Sequence, residues 1–191
     1  MPSSRSQTRI LAPALLVLLA PLAFGEVAER VLAVVDSRPV LLSEVRALER
    51  LRKVDRAQAT QAMIDERLMF REAARVPQSA LSADEDERAY RSLVERWPAD
   101  AAASEVELRR LARREATILK YLEFRFRSQV RAADDEIRAA YAERYAAAPD
   151  APPLDSVSAT LADEIEARKF DERIEAWVRE LRAGAEIRLN P

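Results

Sequence analysis

Apolar and polar residues alternate near both ends of the chain, whereas helical spacing dominates between them. A β-branched apolar run at 31–35 is followed by a turn-like segment at 36–39 and a second apolar run at 40–42, which predicts a hairpin. Residues 185–190 alternate between apolar and polar and predict a third strand. Because a lone hairpin is marginal in water, we expect the C-terminal strand to pair with the N-terminal one.

Capping patterns and helical periodicity predict six helices between these strands. A Ser or Asp followed three positions later by Glu or Gln satisfies the free N–H groups of a helix start, and this pattern occurs at Asp55/Gln58, Ser82/Glu85 and Ser104/Glu107. The expected helices cover 43–53, 55 to before Pro77, 82 to before Pro98, 104–130, 134 to about 145, and 155–182. The fold class expected is therefore mainly α, with a small two- to three-stranded sheet that joins the N- and C-terminal strands.

The ends of the first and last helices are predicted from single residues. Ser43 is expected to cap the first helix, with Glu44 placed favourably against the helix dipole. Asp155 is expected to cap the last helix, and Gly184 to stop it in a left-handed conformation. The segment AAAPDAPP at 146–153 is the Pro-rich break and predicts a loop.

Residues 1–25 have the three parts of a secretory signal peptide. A basic head precedes an uncharged apolar run of 13 residues at 10–22, and Ala23 and Gly25 fit the small-residue positions before a cleavage site. A membrane-spanning helix needs roughly 20 apolar residues, which disfavours the alternative of an anchor. We expect cleavage after Gly25, a periplasmic location with no stable membrane insertion afterwards, and one domain over 26–191.

The composition excludes several kinds of chemistry. The chain has no Cys and no His, so disulfides, thiolate nucleophiles, Ser-His catalysis and zinc sites built on these residues are excluded. Two Gly are too few for a phosphate-binding loop or a dinucleotide turn. We expect no cofactor, no metal and no catalytic residue. The formal net charge of −2, which becomes −4 after signal cleavage, disfavours nucleic acid as a partner.

The predicted fourth helix is basic, with a net charge of +6 between residues 108 and 131. One interpretation is an anionic partner, such as a lipopolysaccharide head group or a phospholipid surface. The other, which we favour, is a solvated face paired with the acidic helices at 84–87 and 163–175.

Four aromatic residues are candidates for binding a partner. Phe124 and Phe126 point about 200° apart on a helix, so we expect one in the core and the other facing a partner. Tyr141 and Tyr145 share a helix face and offer flat apolar area with a polar tip. The other interpretation, which we favour for each, is a place in the core, where the two tyrosines would cover the hairpin.

The order of these elements resembles the N-terminal domain of SurA/PpiC-type periplasmic chaperones. The likeness covers nearly the whole chain after residue 25. It is carried by ERVLAVVD at 29–36, PVLLSEV at 39–45, AMIDERL at 62–68, DDEIRAAY at 134–141, and the closing helix and strand at 176–182 and 185–189. In that family a parvulin-type prolyl isomerase domain usually lies where this chain has only the loop 146–153. The resemblance therefore implies a chaperone module without its isomerase.

The resemblance implies a holdase that binds unfolded or nascent envelope proteins, including outer-membrane clients, without catalysis. A non-catalytic structural or assembly partner of an envelope complex, which includes a homo-oligomer, is the alternative. A residual prolyl isomerase is the second alternative, although parvulin sites resemble one another in having His residues and Gly-containing loops, which this chain lacks.

Overall fold

The computed structural model describes residues 29–98, 103–146 and 148–190. The predicted signal peptide at 1–25 and its cleavage point lie outside the described residues. None of the helices in the described part of the chain combines the length and apolarity that crossing a membrane requires.

The described residues form a small antiparallel sheet and six α-helices, as the pattern predicts. The strands are β1 (Val31–Val35), β2 (Arg38–Leu41) and β3 (Ile187–Leu189), and the helices are α1 (Leu42–Arg52), α2 (Arg56–Ala73), α3 (Ala83–Arg96), α4 (Glu105–Phe126), α5 (Asp134–Tyr145) and α6 (Leu154–Ala183). Short 3-10 turns follow α2 and α4, at Pro77–Ser79 and Arg127–Gln129. The expected mainly helical fold class is confirmed.

The sheet brings the two ends of the described chain together in the order β2-β1-β3. Ala33 of β1 lies opposite Leu189 of β3, and Val35 lies opposite Ile187. The predicted pairing of the N- and C-terminal strands is therefore confirmed. The hairpin between β1 and β2 turns through Asp36 and Ser37, which both have positive φ angles, of 46° and 66°. Two central residues with positive φ fit the type I′ turn, whose twist matches that of the strands.

The three predicted capping boxes are present. The N–H of Gln58 donates to Asp55 Oδ1 at 2.8 Å, and the N–H of Asp55 donates back to Gln58 Oε1 at 3.3 Å. The reciprocal bonds of the pairs Ser82/Glu85 and Ser104/Glu107 measure 2.7 to 3.2 Å. Each box satisfies N–H groups at the first turn, which places the starts of α2, α3 and α4 where the sequence indicates them.

Three predicted helix ends are wrong. Leu41, not Ser43, is the N-cap of α1, because the Glu44 carboxylate accepts the Leu41 N–H at 3.2 Å from within the first turn. Pro153, not Asp155, precedes α6, since the fixed φ of proline suits a helix start. Gly184 has a φ of −94° rather than a left-handed value. The left-handed end belongs instead to α1, at Lys53 with a φ of 54°.

Long helices pack around a core in three adjoining parts. The first lies between the sheet, α1 and α2, and it contains fully buried Leu48 and Ile64. The second joins α2, α4 and α6 around Trp177. The third lies between α3 and α4 around fully buried Leu93. Because α2 contributes to the first two parts, it links the sheet to the helical half of the domain.

The helices α5 and α6 form a helical hairpin. α6 is 30 residues long, about 45 Å. Its C-terminal half packs on α2 and α4, whereas α5 packs on α6. α5 has no fully buried residue, although Leu161 and Ile165 of α6 are 1% and 2% exposed. The loop within 146–153 joins the two helices, as predicted.

Candidate functional site

The two phenylalanines of α4 separate into one core residue and one surface residue. Phe126 is 5% exposed and contacts Trp177 of α6, with ring centroids 5.7 Å apart in an edge-on arrangement. Phe124 is 56% exposed. The expected division between core and surface is therefore confirmed, and of these two only Phe124 offers a partner an open aromatic surface.

Tyr141 and Tyr145 contact each other on one face of α5, with ring centroids 5.0 Å apart. Both side chains are half-buried. The Tyr141 hydroxyl donates a hydrogen bond to the carbonyl of Pro152 at 2.7 Å. This bond ties α5 to the start of α6, so Tyr141 stabilises the helical hairpin itself.

A groove of about 500 Å³ lies between α2 and α6, and none of the four aromatic candidates lines it. Its walls come from one face of each helix and from the end of α1. The lining residues are Arg52, Gln61, Ala62, Asp65, Glu66, Met69, Ile174, Glu175, Val178, Arg179 and Arg182. We call this feature the α2–α6 groove.

The floor of the α2–α6 groove is apolar. Met69, Ile174 and Val178 are half-buried and pack beneath the groove on the core around Trp177. Ala62 does the same on the core beside the sheet. These side chains therefore rest on a close-packed interior and still present part of their surface to the groove. Because their neighbours already restrict these side chains, binding another chain through them would cost little side-chain conformational entropy.

The rim of the α2–α6 groove is charged and tied across the two helices. The Arg182 guanidinium of α6 donates to the Asp65 carboxylate of α2, and also to the Gln61 carbonyl at 3.1 Å and its side-chain oxygen at 3.0 Å. Because these bonds connect α6 directly to α2, they fix the separation of the two helices beside the apolar floor. Glu175 and Arg179, which are more exposed, form a longer pair at 3.8 Å along α6.

A buried carboxylate lies beside the same groove. Glu66 is 3% exposed and forms an ion pair with Arg114 of α4, whose side chain is 12% exposed. Its second oxygen, Oε2, accepts no hydrogen bond from the described residues and has the Arg52 guanidinium 3.8 Å away. Arg114 also lies 3.7 Å from Glu44. This network joins α1, α2 and α4 beneath the groove, and removing one partner would leave a charge buried.

Most cations of α4 are paired with carboxylates. Arg109 donates to Glu87 at 2.9 Å, Arg113 to Asp86, and Lys120 to Glu85 at 2.8 Å. All three carboxylates belong to α3. Further along, Arg131 lies 3.8 Å from Glu166 of α6. The basic segment thus faces the acidic helices, which is the arrangement that the favoured interpretation of 108–131 expects.

Several carboxyl groups that pair with cations have lowered pKa values, which favours their charged forms. The Lys120 ammonium and the Ser82 N–H lower the pKa of Glu85 to about 2. The Arg113 guanidinium lowers the pKa of Asp86, and the Arg144 guanidinium lowers the pKa of Glu164. A general acid needs the opposite shift, towards neutral pH. No group of three or more Asp or Glu in the described part of the chain could hold a metal ion.

The α2–α6 groove was missed by reasoning from the sequence because its residues belong to helical stripes that also build the core. The spacing of Ala62, Asp65 and Met69 does place an acidic residue inside an apolar stripe of α2, which is the one feature of the sequence that indicates a partly open face there. The pattern does not determine the angle at which α6 crosses this stripe.

No protein-family model matches this chain, and no curated protein sequence matches it.

Proposed function

We propose that this protein is a chaperone-like holdase of the periplasm that binds unfolded or outer-membrane client proteins without catalysis. In this proposal it is a relative of SurA/PpiC-type chaperones that lacks the parvulin domain. The signal-like residues 1–25 and the order of the elements support the location and the relationship. The α2–α6 groove is the observation that carries the binding function.

The groove supports this function through the contrast between its floor and its rim. Apolar client side chains that cover Met69, Ile174 and Val178 would remove apolar surface from water, at about 25 cal/mol per Å². The charged rim keeps the open groove hydrated when no client is bound. Affinity for any one segment would be modest, because a shallow site lacks the deep pockets that anchor hot-spot residues. Modest affinity suits reversible holding of many sequences.

A light-scattering experiment tests the proposal directly. A urea-unfolded outer-membrane β-barrel protein is diluted into buffer with an equimolar amount of this protein, and its aggregation is followed over time. We expect scattering to fall well below that of the client alone. Unchanged aggregation at equimolar protein would contradict the holdase function.

Matched variants locate the binding surface. The variant Met69→Gln/Val178→Gln makes the floor of the groove polar, and we expect it to lose at least half of the suppression. The control Val106→Gln/Leu119→Gln removes two apolar side chains of α4 that are 57% and 61% exposed, and we expect it to keep the full effect. Circular dichroism and urea unfolding verify that both variants fold. A loss of suppression in Phe124→Ser but not in the groove variant would move the site to α4.

The assembly-partner alternative makes a different prediction. Crosslinking in cells would then recover one partner in fixed stoichiometry, whereas a holdase would recover many clients. A proline-limited refolding assay tests the residual isomerase alternative. An isomerase would accelerate the slow refolding phase of the substrate protein, whereas the holdase proposal expects that rate to be unchanged.

A further inference from the structure

A second cleft, of about 480 Å³, lies between the start of the described chain, α1 and the N-terminal half of α4. Four arginines line it: Arg46 and Arg50 from α1, and Arg110 and Arg114 from α4. Trp97, which follows α3, forms part of the wall. We call this feature the arginine cleft. It is separate from the α2–α6 groove, and the two have no lining residue in common.

Three of these arginines have no ion-pair partner within the described ranges. Arg114 is engaged beneath the cleft by Glu66 and Glu44, whereas Arg46, Arg50 and Arg110 are exposed and form no ion pair with any described carboxylate. Elsewhere on α4 the arginines and the lysine are largely paired, as at Arg109, Arg113 and Lys120. The cleft thus collects guanidinium groups that make no direct ion pair with a described carboxylate, although three glutamates also line it.

The three carboxylates around the cleft are committed to other contacts. Glu29 accepts the N–H of Ser43 at 2.8 Å in the first turn of α1. Glu44 accepts the Leu41 N–H and pairs with Arg67. Glu107 closes the capping box of α4 with Ser104, and bonds from Ser104 with a smaller effect of Arg110 lower its pKa. These carboxylates serve helix starts, so they leave most of the guanidinium donors of the cleft open.

The placement of the free arginines is costly for the helix that carries two of them. Arg46 and Arg50 are four residues apart on α1, where like charges destabilise a helix by a few tenths of a kcal/mol. Arg110 brings a third positive charge from across the cleft. An anion that sits between the two helices would convert this repulsion into attraction.

We propose that the arginine cleft binds a phosphomonoester group. A phosphomonoester carries about −1.5 to −2 charges at pH 7 and three acceptor oxygens, which match three open guanidinium groups. A single carboxylate has only two acceptor oxygens, so it would leave one of the three guanidinium groups without an oxygen of its own. Trp97 supplies a flat surface for the organic part of the ester. This site is independent of the proposed holdase function and would persist if that function failed.

The two tryptophans of the chain provide an internal probe and its reference. Trp97 lines the cleft, whereas Trp177 is 5% exposed in the core. Titration of ¹⁵N-labelled protein with inorganic phosphate, at an ionic strength held constant with sodium chloride, should shift the Trp97 indole N–H signal saturably. The Trp177 signal should stay in place. Sodium chloride alone should move neither signal.

Charge-matched variants test whether the arginines hold the anion. In Arg46→Gln/Arg50→Gln we expect the dissociation constant for phosphate to rise about tenfold. The control Arg88→Gln/Arg91→Gln removes the same charge from exposed positions of α3, and we expect less than a twofold change. An absent or unsaturable Trp97 shift, or equal weakening in both variants, would overturn the proposal.

Vesicles distinguish the source of the phosphate. Co-sedimentation with phosphatidic acid in phosphatidylcholine, compared with phosphatidylcholine alone, tests a lipid headgroup. Sedimentation that the Arg46→Gln/Arg50→Gln variant loses, together with the Trp97 shift, supports a lipid ligand. A Trp97 shift without sedimentation supports a small phosphate ester. Sedimentation without any response of Trp97 to inorganic phosphate contradicts the site, because it indicates diffuse charge attraction.

Discussion

The Trp177 indole of α6 packs against the Phe126 ring of α4 in an edge-to-face arrangement, with centroids 5.7 Å apart and an interplanar angle of 62°. Tyr121 lies on the same indole at 5.3 Å, and the Arg125 guanidinium lies over it at 5.7 Å. This aromatic contact joins the last helix to the long central one. Because Ile174 and Val178 flank Trp177 on α6, the same contact supports the floor of the α2–α6 groove.

Replacing Trp177 tests this role in stability. We expect Trp177→Ala to lower the free energy of unfolding by about 3–5 kcal/mol, because it removes a buried aromatic side chain and leaves a cavity. Phe124→Ala, on the exposed side of α4, should change it by less than about 0.5 kcal/mol. Urea unfolding followed by circular dichroism measures both. Equal effects would show that α6 does not depend on this contact.

The hairpin turn offers a stabilising substitution. Ser37 is exposed and has a φ of 66°, in the left-handed region that costs non-glycine residues about 1–2 kcal/mol. Glycine adopts this region freely but loses more entropy on folding, so we expect Ser37→Gly to stabilise the protein by about 0.5–1 kcal/mol. Ser37→Ala keeps the Cβ atom and is the control, with little change expected. Thermal unfolding gives the comparison, and a Gly variant no more stable than the Ala variant would contradict the turn geometry.

Local signals in the sequence account for most of the fold. The apolar run at 31–35 and the alternation at 185–190 gave the strands, and the boxes at Asp55, Ser82 and Ser104 gave three helix starts. These features depend on neighbours a few residues apart, so a single sequence carries them. The turn type does not follow from the sequence, because Asp36 and Ser37 are not the Asn-Gly or Asp-Gly that type I′ turns favour.

The candidate sites could not be predicted in the same way because they depend on contacts between distant segments. The Arg182–Asp65 pair that fixes the α2–α6 groove joins positions 117 apart in the chain. The basic segment of α4 is visible in the sequence. Only the structure shows that Arg109, Arg113 and Lys120 pair with α3, whereas Arg110 pairs with no described carboxylate. Arg46 and Arg50 gave no signal at all, since their cleft exists only when α1 and α4 are adjacent.

The Lys120–Glu85 pair predicts a pH effect at the contact between α3 and α4. The Lys120 ammonium contributes most to lowering the pKa of Glu85 from 4.5 to about 2. A depressed carboxyl pKa gives stability that is present above the ordinary pKa and is lost as the pH falls from about 4.5 towards 2. In Lys120→Met the pKa of Glu85 should therefore rise, and the variant should lose less stability over that range.

Carboxyl titration by NMR measures this effect at single residues. Glu107 is the internal control, because its pKa is lowered by Ser104 and Arg110 and not by Lys120. We expect the Glu107 titration to be unchanged in Lys120→Met. A Glu85 pKa that stays near 2 in the variant would show that the capping bonds with Ser82 are sufficient by themselves.

The Tyr141 hydroxyl predicts a local effect on the helical hairpin. Tyr141→Phe removes its bond to the Pro152 carbonyl and keeps the ring contact with Tyr145, so we expect a loss of about 1 kcal/mol in the free energy of unfolding. The loss should be concentrated where α5 meets α6, and hydrogen exchange of the amides at 154–158 should become faster. Tyr145→Phe leaves the Pro152 bond in place and should not accelerate that exchange. Equal exchange rates at 154–158 in Tyr141→Phe and Tyr145→Phe would contradict this role of the Pro152 bond. Because α5 contributes no fully buried residue, the packing of the two rings would then hold the helical hairpin together.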